Sequence, residues 1–268
     1  MIEEALMVAQ GAGELLKKRF LGFMGGEALK VEEKGPSDFV TRVDREVEDW
    51  ILKQLEVITP GVPVLSEEHF HGQKISPTCW IVDPLDGTRS FIHGIPHFGV
   101  TLAFMEEGRL VLGVTYAPME DEIFHAEAGK GMWFNGRRVT VSSVEEPSKA
   151  AVAMGLPFRG REHLDALLAF YRAMYTKGVA LRHTGSAALD LCYVACGRYD
   201  GLFYLDLSPW DVAAGGLMVQ EAGGVVEGLA ERPWLEGWIL ASNARFYPFL
   251  EAVAQEALRH LDSLGGRA

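Results

Sequence analysis

The segment Cys79-Trp80-Ile81-Val82-Asp83-Pro84-Leu85-Asp86-Gly87-Thr88 constrains this chain more than any other. A short, unbroken apolar run has no polar face to offer water, so it reads as a strand buried on both sides. It delivers Asp83 at its carboxyl end, the end where ligand sites of open α/β sheets gather. Pro84 imposes an extended exit, and Asp86 follows at a turn beside Gly87. Two carboxylates on either side of a proline turn can converge on one cation. Gly87 and Thr88 can open a helix whose free N–H groups suit a phosphate. Oxygen ligands for a hard cation beside donors for phosphate are the ingredients of metal-assisted phosphoryl transfer.

Three other acidic spots have the same character. Asp44 opens an amphipathic segment, the pair Glu67-Glu68 follows the apolar run 62–65, and Asp211 follows Trp210. Singly, each has a plain explanation: a first-turn helix acid, a solvated loop, another helix opening. Their shared position at strand ends and helix starts sets them apart.

Around these spots the hydrophobic period changes along the chain. Residues 2–20 carry apolar side chains at helical spacing, and a second helix begins near Asp44 with Thr41 as its N-cap. Strands are expected at 98–105 and 110–116, joined by Glu107-Gly108, and at 122–126 and 131–134, the latter followed by an Asn135-Gly136 turn. Beyond 143–149 strands and helices alternate: strands at 150–154, 179–182, 200–205, 224–227 and 238–241, helices at 162–177, 186–197, 210–222 and 246–263. The fold class is therefore α/β (α+β layered), with alternating α and β layers. A mixed, largely antiparallel half spans 1–142, and an α/β half spans 150–268 and contributes Asp211.

Composition excludes several function classes. The formal net charge of −12 comes without any Lys/Arg run, so no nucleic-acid partner is expected. No apolar stretch approaches the ~20 residues a membrane span needs, and the N-terminus lacks a signal-peptide pattern. These points, with only three cysteines, lead to an expected cytoplasmic location. Cys192 and Cys196, one helical turn apart, read as buried small hydrophobes.

Five pieces together carry a resemblance: KGPSDFVTRVDREVE (34–48), VLSEE (64–68), WIVDPLDGT (80–88), GSAALDLCYVACGRYDG (185–201) and WDVAAG (210–215). In this order and separation they resemble the inositol monophosphatase family, which belongs to the magnesium-dependent, lithium-sensitive phosphatases. The resemblance implies two to three Mg²⁺ ions. Glu67, Asp83 and the Leu85 carbonyl would hold one, Asp83, Asp86 and Asp211 a second, and Glu67 with water a third. Thr88, paired with Asp44, would orient the attacking water together with Glu67. Backbone groups of Gly87 and Thr88 would receive phosphate oxygens, and Gly185, Ser186 and Ala187 would line the leaving-group side. The implied reaction is hydrolysis of a small phosphorylated metabolite, inositol monophosphate foremost, by a homodimer. Histidinol phosphate, fructose 1,6-bisphosphate and phosphoadenosine phosphate are alternative substrates, and a non-catalytic member acting through a partner is the alternative class. The haloacid dehalogenase signature, Asp-x-Asp-Gly-Thr, differs by one residue from the spacing here.

Two positions depart from the family. Arg89-Ser90-Phe91 is closer to the histidinol-phosphate branch. Tyr204 stands where close relatives carry a substrate-binding Glu, so it is expected to read substrate by shape; the alternative is that Asp206, two strand positions on, takes over as the carboxylate. His69 and His71 are expected in a solvated loop, and His93, His97 and His183 are expected to make ordinary polar contacts or to touch substrate.

Overall fold

The computed structural model describes residues 1–35, 38–69, 74–155 and 161–262. In chain order the helices are α1 (Ile2–Met24), α2 (Arg42–Ile58), α3 (Thr88–Ile92), α4 (Leu164–Thr176), α5 (Ala187–Ala195), α6 (Pro209–Glu221) and α7 (Tyr247–Asp262). The first nine strands are β1 (Val31–Gly35), β2 (Asp38–Thr41), β3 (Val64–Ser66), β4 (Cys79–Asp86), β5 (Gly99–Glu106), β6 (Arg109–Ala117), β7 (Glu122–Glu127), β8 (Gly131–Phe134) and β9 (Arg137–Val139). The others are β10 (Ala151–Met154), β11 (Ala180–Arg182), β12 (Gly201–Tyr204), β13 (Gly224–Gly228) and β14 (Ile239–Asn243).

Local chemistry accounts for most of these boundaries. Thr41 caps α2 in a reciprocal box: its Oγ1 accepts from Val43 N at 3.0 Å, and its own N–H donates to Asp44 Oδ2 at 2.8 Å. The β5–β6 hairpin turns on Glu107 and Gly108, with φ of 50° and 79°, and Asn135-Gly136 does the same between β8 and β9. Both pairs adopt the left-handed backbone that two-residue hairpins require.

One sheet has the order β3-β4-β5-β6-β7-β8-β9, parallel only at β3–β4. The other has the order β11-β10-β12-β14-β13, with β10 parallel to both neighbours and β14 antiparallel to both of its own. Helices α1 and α2 cover one face of the first sheet, α5 and α6 lie between the sheets, and α4 and α7 pair against the second. The chain is thus five alternating layers, a layered α/β fold. The middle layer draws one apolar cluster from both sides of residues 143–149, joining Ile81, Ala103 and Phe124 to Leu189, Val212 and Ile239.

The largest difference from the sequence reading lies in β4. The strand continues past Pro84 to Asp86 instead of ending at Asp83. Asp83 pairs with Thr101 and Asp86 with Gly99, so Pro84 and Leu85 together face one residue of β5. Proline cannot donate to the ladder, and a bulge absorbs the gap. The extra residue also changes parity. In a regular strand residues 83 and 86 would face opposite sides of the sheet; across the bulge they share one.

Helix α6 approaches this sheet closely because β6 has Gly113 beneath it. A Cβ at that position would lie 2.9 Å from the Ala214 carbonyl oxygen and 3.0 Å from its Cα. Gly113→Ala is therefore expected to push α6 outward and destabilise the protein by ~1–3 kcal/mol. A urea-denaturation midpoint equal to that of the unaltered protein would contradict this.

Candidate metal centre

Asp83 and Asp86 reach the site on the bulged end of β4. Asp211 arrives from the other sequence half as the third residue of α6, where its Oδ2 accepts the Ser208 N–H at 2.7 Å. One oxygen of each carboxylate lies within 4.8 Å of the others. Glu67 follows β3, the parallel neighbour of β4, and its charge acts on Asp83. Burial, then the charges of Glu67, Asp86 and Asp211, hold the Asp83 carboxyl well above the ordinary range. Burial also raises Asp86, against the opposing donors of Ser186 and Ala188. Like charges forced together away from water call for protons or a cation. Every donor in the cluster is a carboxylate oxygen, which suits a hard divalent ion such as Mg²⁺.

The surrounding groups orient these carboxylates. Leu85 N–H donates to Asp83 Oδ1 at 2.9 Å. Asp86 Oδ2 accepts from the Ser186 hydroxyl and from Ala188 N–H, the latter at 2.9 Å. Thr88 Oγ1 lies 3.1 Å from Asp44 Oδ1 and 3.0 Å from the Leu85 carbonyl. Asp44 is buried, which raises its carboxyl, while bonds from Thr41 and Thr88 act the other way. Gly87 has φ of 96°, and a Cβ there would meet the His97 carbonyl oxygen at 3.0 Å. Only glycine fits this turn between β4 and α3.

The other expected residues make the following contacts. Ser186 is fully buried, and its hydroxyl engages Asp86 and caps α5 through Leu189 N–H. Its neighbours Gly185 and Ala187 form the same tight turn into α5, Gly185 with φ of 93°. Tyr204 is also buried, and its hydroxyl donates to Asp190 Oδ2 at 2.7 Å. Asp206 does not follow it to the same face. β12 ends at Tyr204, and Asp206 takes a left-handed φ of 57°, so strand alternation stops between them. The Asp206 carboxylate meets Trp238 Nε1 at 2.8 Å and His163 Nε2 at 2.7 Å, in a group with Glu162. His69 bonds through Nδ1 to Glu48 Oε2 at 2.6 Å, and His71 lies outside the described residues. His97 Nδ1 faces Glu120 at 3.5 Å, and His183 Nδ1 meets the Met154 carbonyl at 3.1 Å.

Two residues of this shell escaped the sequence reading. Glu48 is fully buried and accepts from Glu68 N–H at 3.2 Å as well as meeting His69, so it anchors the loop carrying Glu67. The signal was its position one turn beyond Asp44, on the same face of α2. Asp190 is the lone charge in the otherwise apolar α5.

This arrangement has close counterparts. The sequence pattern of the inositol monophosphatase family matches residues 1–261. The chain belongs to that family. The curated relative Nus factor SuhB of Pseudomonas aeruginosa is 39% identical over 265 residues, covering 96% of this chain and 97% of that protein. Among solved structures, the extragenic suppressor protein suhB of Bartonella henselae superposes with a TM-score of 0.86 at 38% identity, covering 95% and 98% of the two chains. An inositol monophosphatase of Thermotoga maritima superposes with a TM-score of 0.85 at 31% identity, covering 96% and 97%. Within the described residues no helix is long and apolar enough to cross a membrane.

The raised carboxyls give this family member a defined pH response. Asp83 and Asp86 are raised, and burial pushes Asp190 up to about 7 against bonds from Tyr204 and Thr184. A raised carboxyl holds its proton more tightly folded than unfolded. Its stabilising contribution is complete below the ordinary carboxylate range and is lost as pH rises through the raised value. In chelator, the melting temperature is expected to fall between pH 6 and pH 8. Saturating Mg²⁺ would take the place of protons on Asp83 and Asp86 and should lessen the fall, leaving the share that belongs to Asp190. Equal slopes with and without Mg²⁺ would remove the cation from this cluster.

Proposed function

We propose that this chain hydrolyses a small phosphate monoester with Mg²⁺, inositol monophosphate being the first substrate to test. The observation that carries this reading is the convergence of Asp83, Asp86 and Asp211 beside the Thr88–Asp44 pair. Asp83, Asp86, Asp211, Glu67 and the Leu85 carbonyl would hold the cations. Mg²⁺ bound there supplies charge neutralisation for a phosphate dianion and Lewis-acid activation.

The chain's own residues provide the positioning. An ionised Asp44 is a stronger acceptor than the Leu85 carbonyl, so the Thr88 hydroxyl donates its hydrogen bond to Asp44. The Thr88 oxygen then presents its lone pairs to a water, which Glu67 holds from the other side. In-line attack by that water needs no covalent enzyme intermediate, and the sequence contains no G-x-S-x-G nucleophile turn. Backbone N–H groups at Gly87 and Thr88 would receive phosphate oxygens where β4 gives way to α3.

Thr88→Ala is expected to lower kcat about 100-fold while leaving Mg²⁺ affinity nearly intact, because a reacting atom misplaced by ~1 Å loses roughly that factor. Phosphate release from inositol 1-phosphate, histidinol phosphate, fructose 1,6-bisphosphate and phosphoadenosine phosphate, with and without Mg²⁺, tests the activity. No hydrolysis of any of the four would refute it.

A second reading concerns assembly. Relatives of up to 39% identity bear the name Nus factor SuhB, so a role through a macromolecular partner stands beside the phosphatase reading, and the expectation of no nucleic-acid partner is not carried forward. Helix α4 exposes Leu164, Leu168, Tyr171 and Tyr175 along one face at helical spacing. We propose this stripe as the place of the homodimer contact that the family resemblance implies. Leu168→Glu combined with Tyr171→Glu is expected to give monomers by light scattering; an unchanged mass would place any dimer contact elsewhere.

A further inference from the structure

Asp190 joins the two sequence halves at a point the proposed chemistry does not use. It sits on the first turns of α5, fully buried. Its Oδ1 accepts from Thr184 Oγ1 at 2.8 Å, and its Oδ2 accepts from Tyr204 OH at 2.7 Å. Both oxygens therefore carry a hydroxyl donor, one from the loop before α5 and one from the last residue of β12. The same turn grips Asp86: the Ser186 hydroxyl and Ala188 N–H both donate to its Oδ2. Thr184 Oγ1 in turn lies 3.4 Å from Ser186 N–H. A continuous line of hydrogen bonds thus runs from β12 through Tyr204, Asp190, Thr184 and Ser186 to Asp86.

The space around Tyr204 fits the same purpose. Gly155 follows β10, the parallel neighbour of β12, and a Cβ there would lie 2.0 Å from Tyr204 Cε1. The ring packs against the bare backbone of Gly155, and its hydroxyl points to Asp190. With its proton committed to Asp190 and its side chain buried, Tyr204 keeps only a phenolic lone pair, a weaker acceptor than a carboxylate. Asp190 is sealed from solvent and cannot touch a substrate either.

We propose that Tyr204 and Asp190 are positioning residues that brace the 184–188 turn and thereby aim Asp86 at its cation, and that the pair does not read the substrate. The proposal rests on the reading of Asp86 as a cation ligand. It replaces the expectation that Tyr204 selects substrates by contact. It also gives a substrate class: with no carboxylate offered at this point of the pocket, the leaving group needs no polyol hydroxyl there, and simple alcohol phosphates should be accepted beside inositol phosphate.

The test separates bracing from substrate contact. Mn²⁺ binding, followed by electron paramagnetic resonance on folded protein, reads Asp86 without turnover. Tyr204→Phe keeps the ring and removes the hydroxyl, and Asp190→Asn keeps the shape and removes the charge. Each is expected to weaken Mn²⁺ binding about tenfold, as losing outer support of a metal ligand does. Each should lower kcat/KM by a common factor for inositol 1-phosphate, glycerol 2-phosphate and p-nitrophenyl phosphate. The double variant should lose little more than either single one, because both act through one line of bonds. Selective loss of inositol 1-phosphate hydrolysis with Mn²⁺ affinity intact would overturn the proposal by making Tyr204 a substrate contact. Unchanged Mn²⁺ affinity with only a lower melting temperature would overturn it too, leaving a packing role. Failure of the unaltered protein to hydrolyse any of the three esters would count against the phosphatase reading, while the Mn²⁺ comparison would still decide the brace.

Discussion

The fold answers to one electrostatic demand: Asp83 and Asp86, both buried, and the half-buried Asp211 must be held within a few ångströms of each other, with Glu67 close by. Like charges in such a place repel strongly, and a chain free to relax would part them. Rigid elements prevent this. Asp83 and Asp86 stand on a strand buried along its whole length. Asp211 is fixed by the capping geometry of a helix packed between two sheets. This repulsion is what supports the proposal that the cluster receives a divalent cation.

The bulge at Pro84 is the device that makes the demand achievable. Without the extra residue, the two aspartates of β4 would diverge to opposite faces of the sheet. With it, they share a side, and the Leu85 carbonyl turns out of the ladder toward Thr88. Gly87 then reverses the chain at a positive φ, so one short stretch carries two acids, a hydroxyl and the opening of a helix. A bulge beside a site re-aims side chains at small cost to the sheet.

Around this centre lies a ring of neutral donors. Thr41 and Thr88 serve Asp44, Ser186 and Ala188 serve Asp86, Leu85 N–H serves Asp83, and Ser208 N–H serves Asp211. None of them neutralises the cluster, since each hydrogen bond orients a carboxylate and leaves its charge in place. A positively charged side chain in those positions would compete with the cation. These neutral donors order the carboxylates, while the charge of the nearby His97 acts on Asp86.

What the sequence determined by itself is whatever depends on neighbours in the chain. The Thr41 cap, the Glu107-Gly108 and Asn135-Gly136 turns, the helical stripes of α1 and α2 and the buried run into Asp83 are each decided within a few residues by backbone preference and hydrophobic period. The family resemblance brought Asp211 to the site from far along the chain, a union that no local spacing expresses. Tertiary structure alone decided three matters. Proline placed a bulge inside β4 where local reading expected the strand to end, because the ladder resumed against β5. Asp206 left the face of Tyr204, because Trp238 and His163 offered it partners after β12 had ended. Tyr204 found Asp190, a partner set by how α5 packs on β12. Such contacts join residues that have no periodic relation to each other, and only the packing of layers brings them within reach.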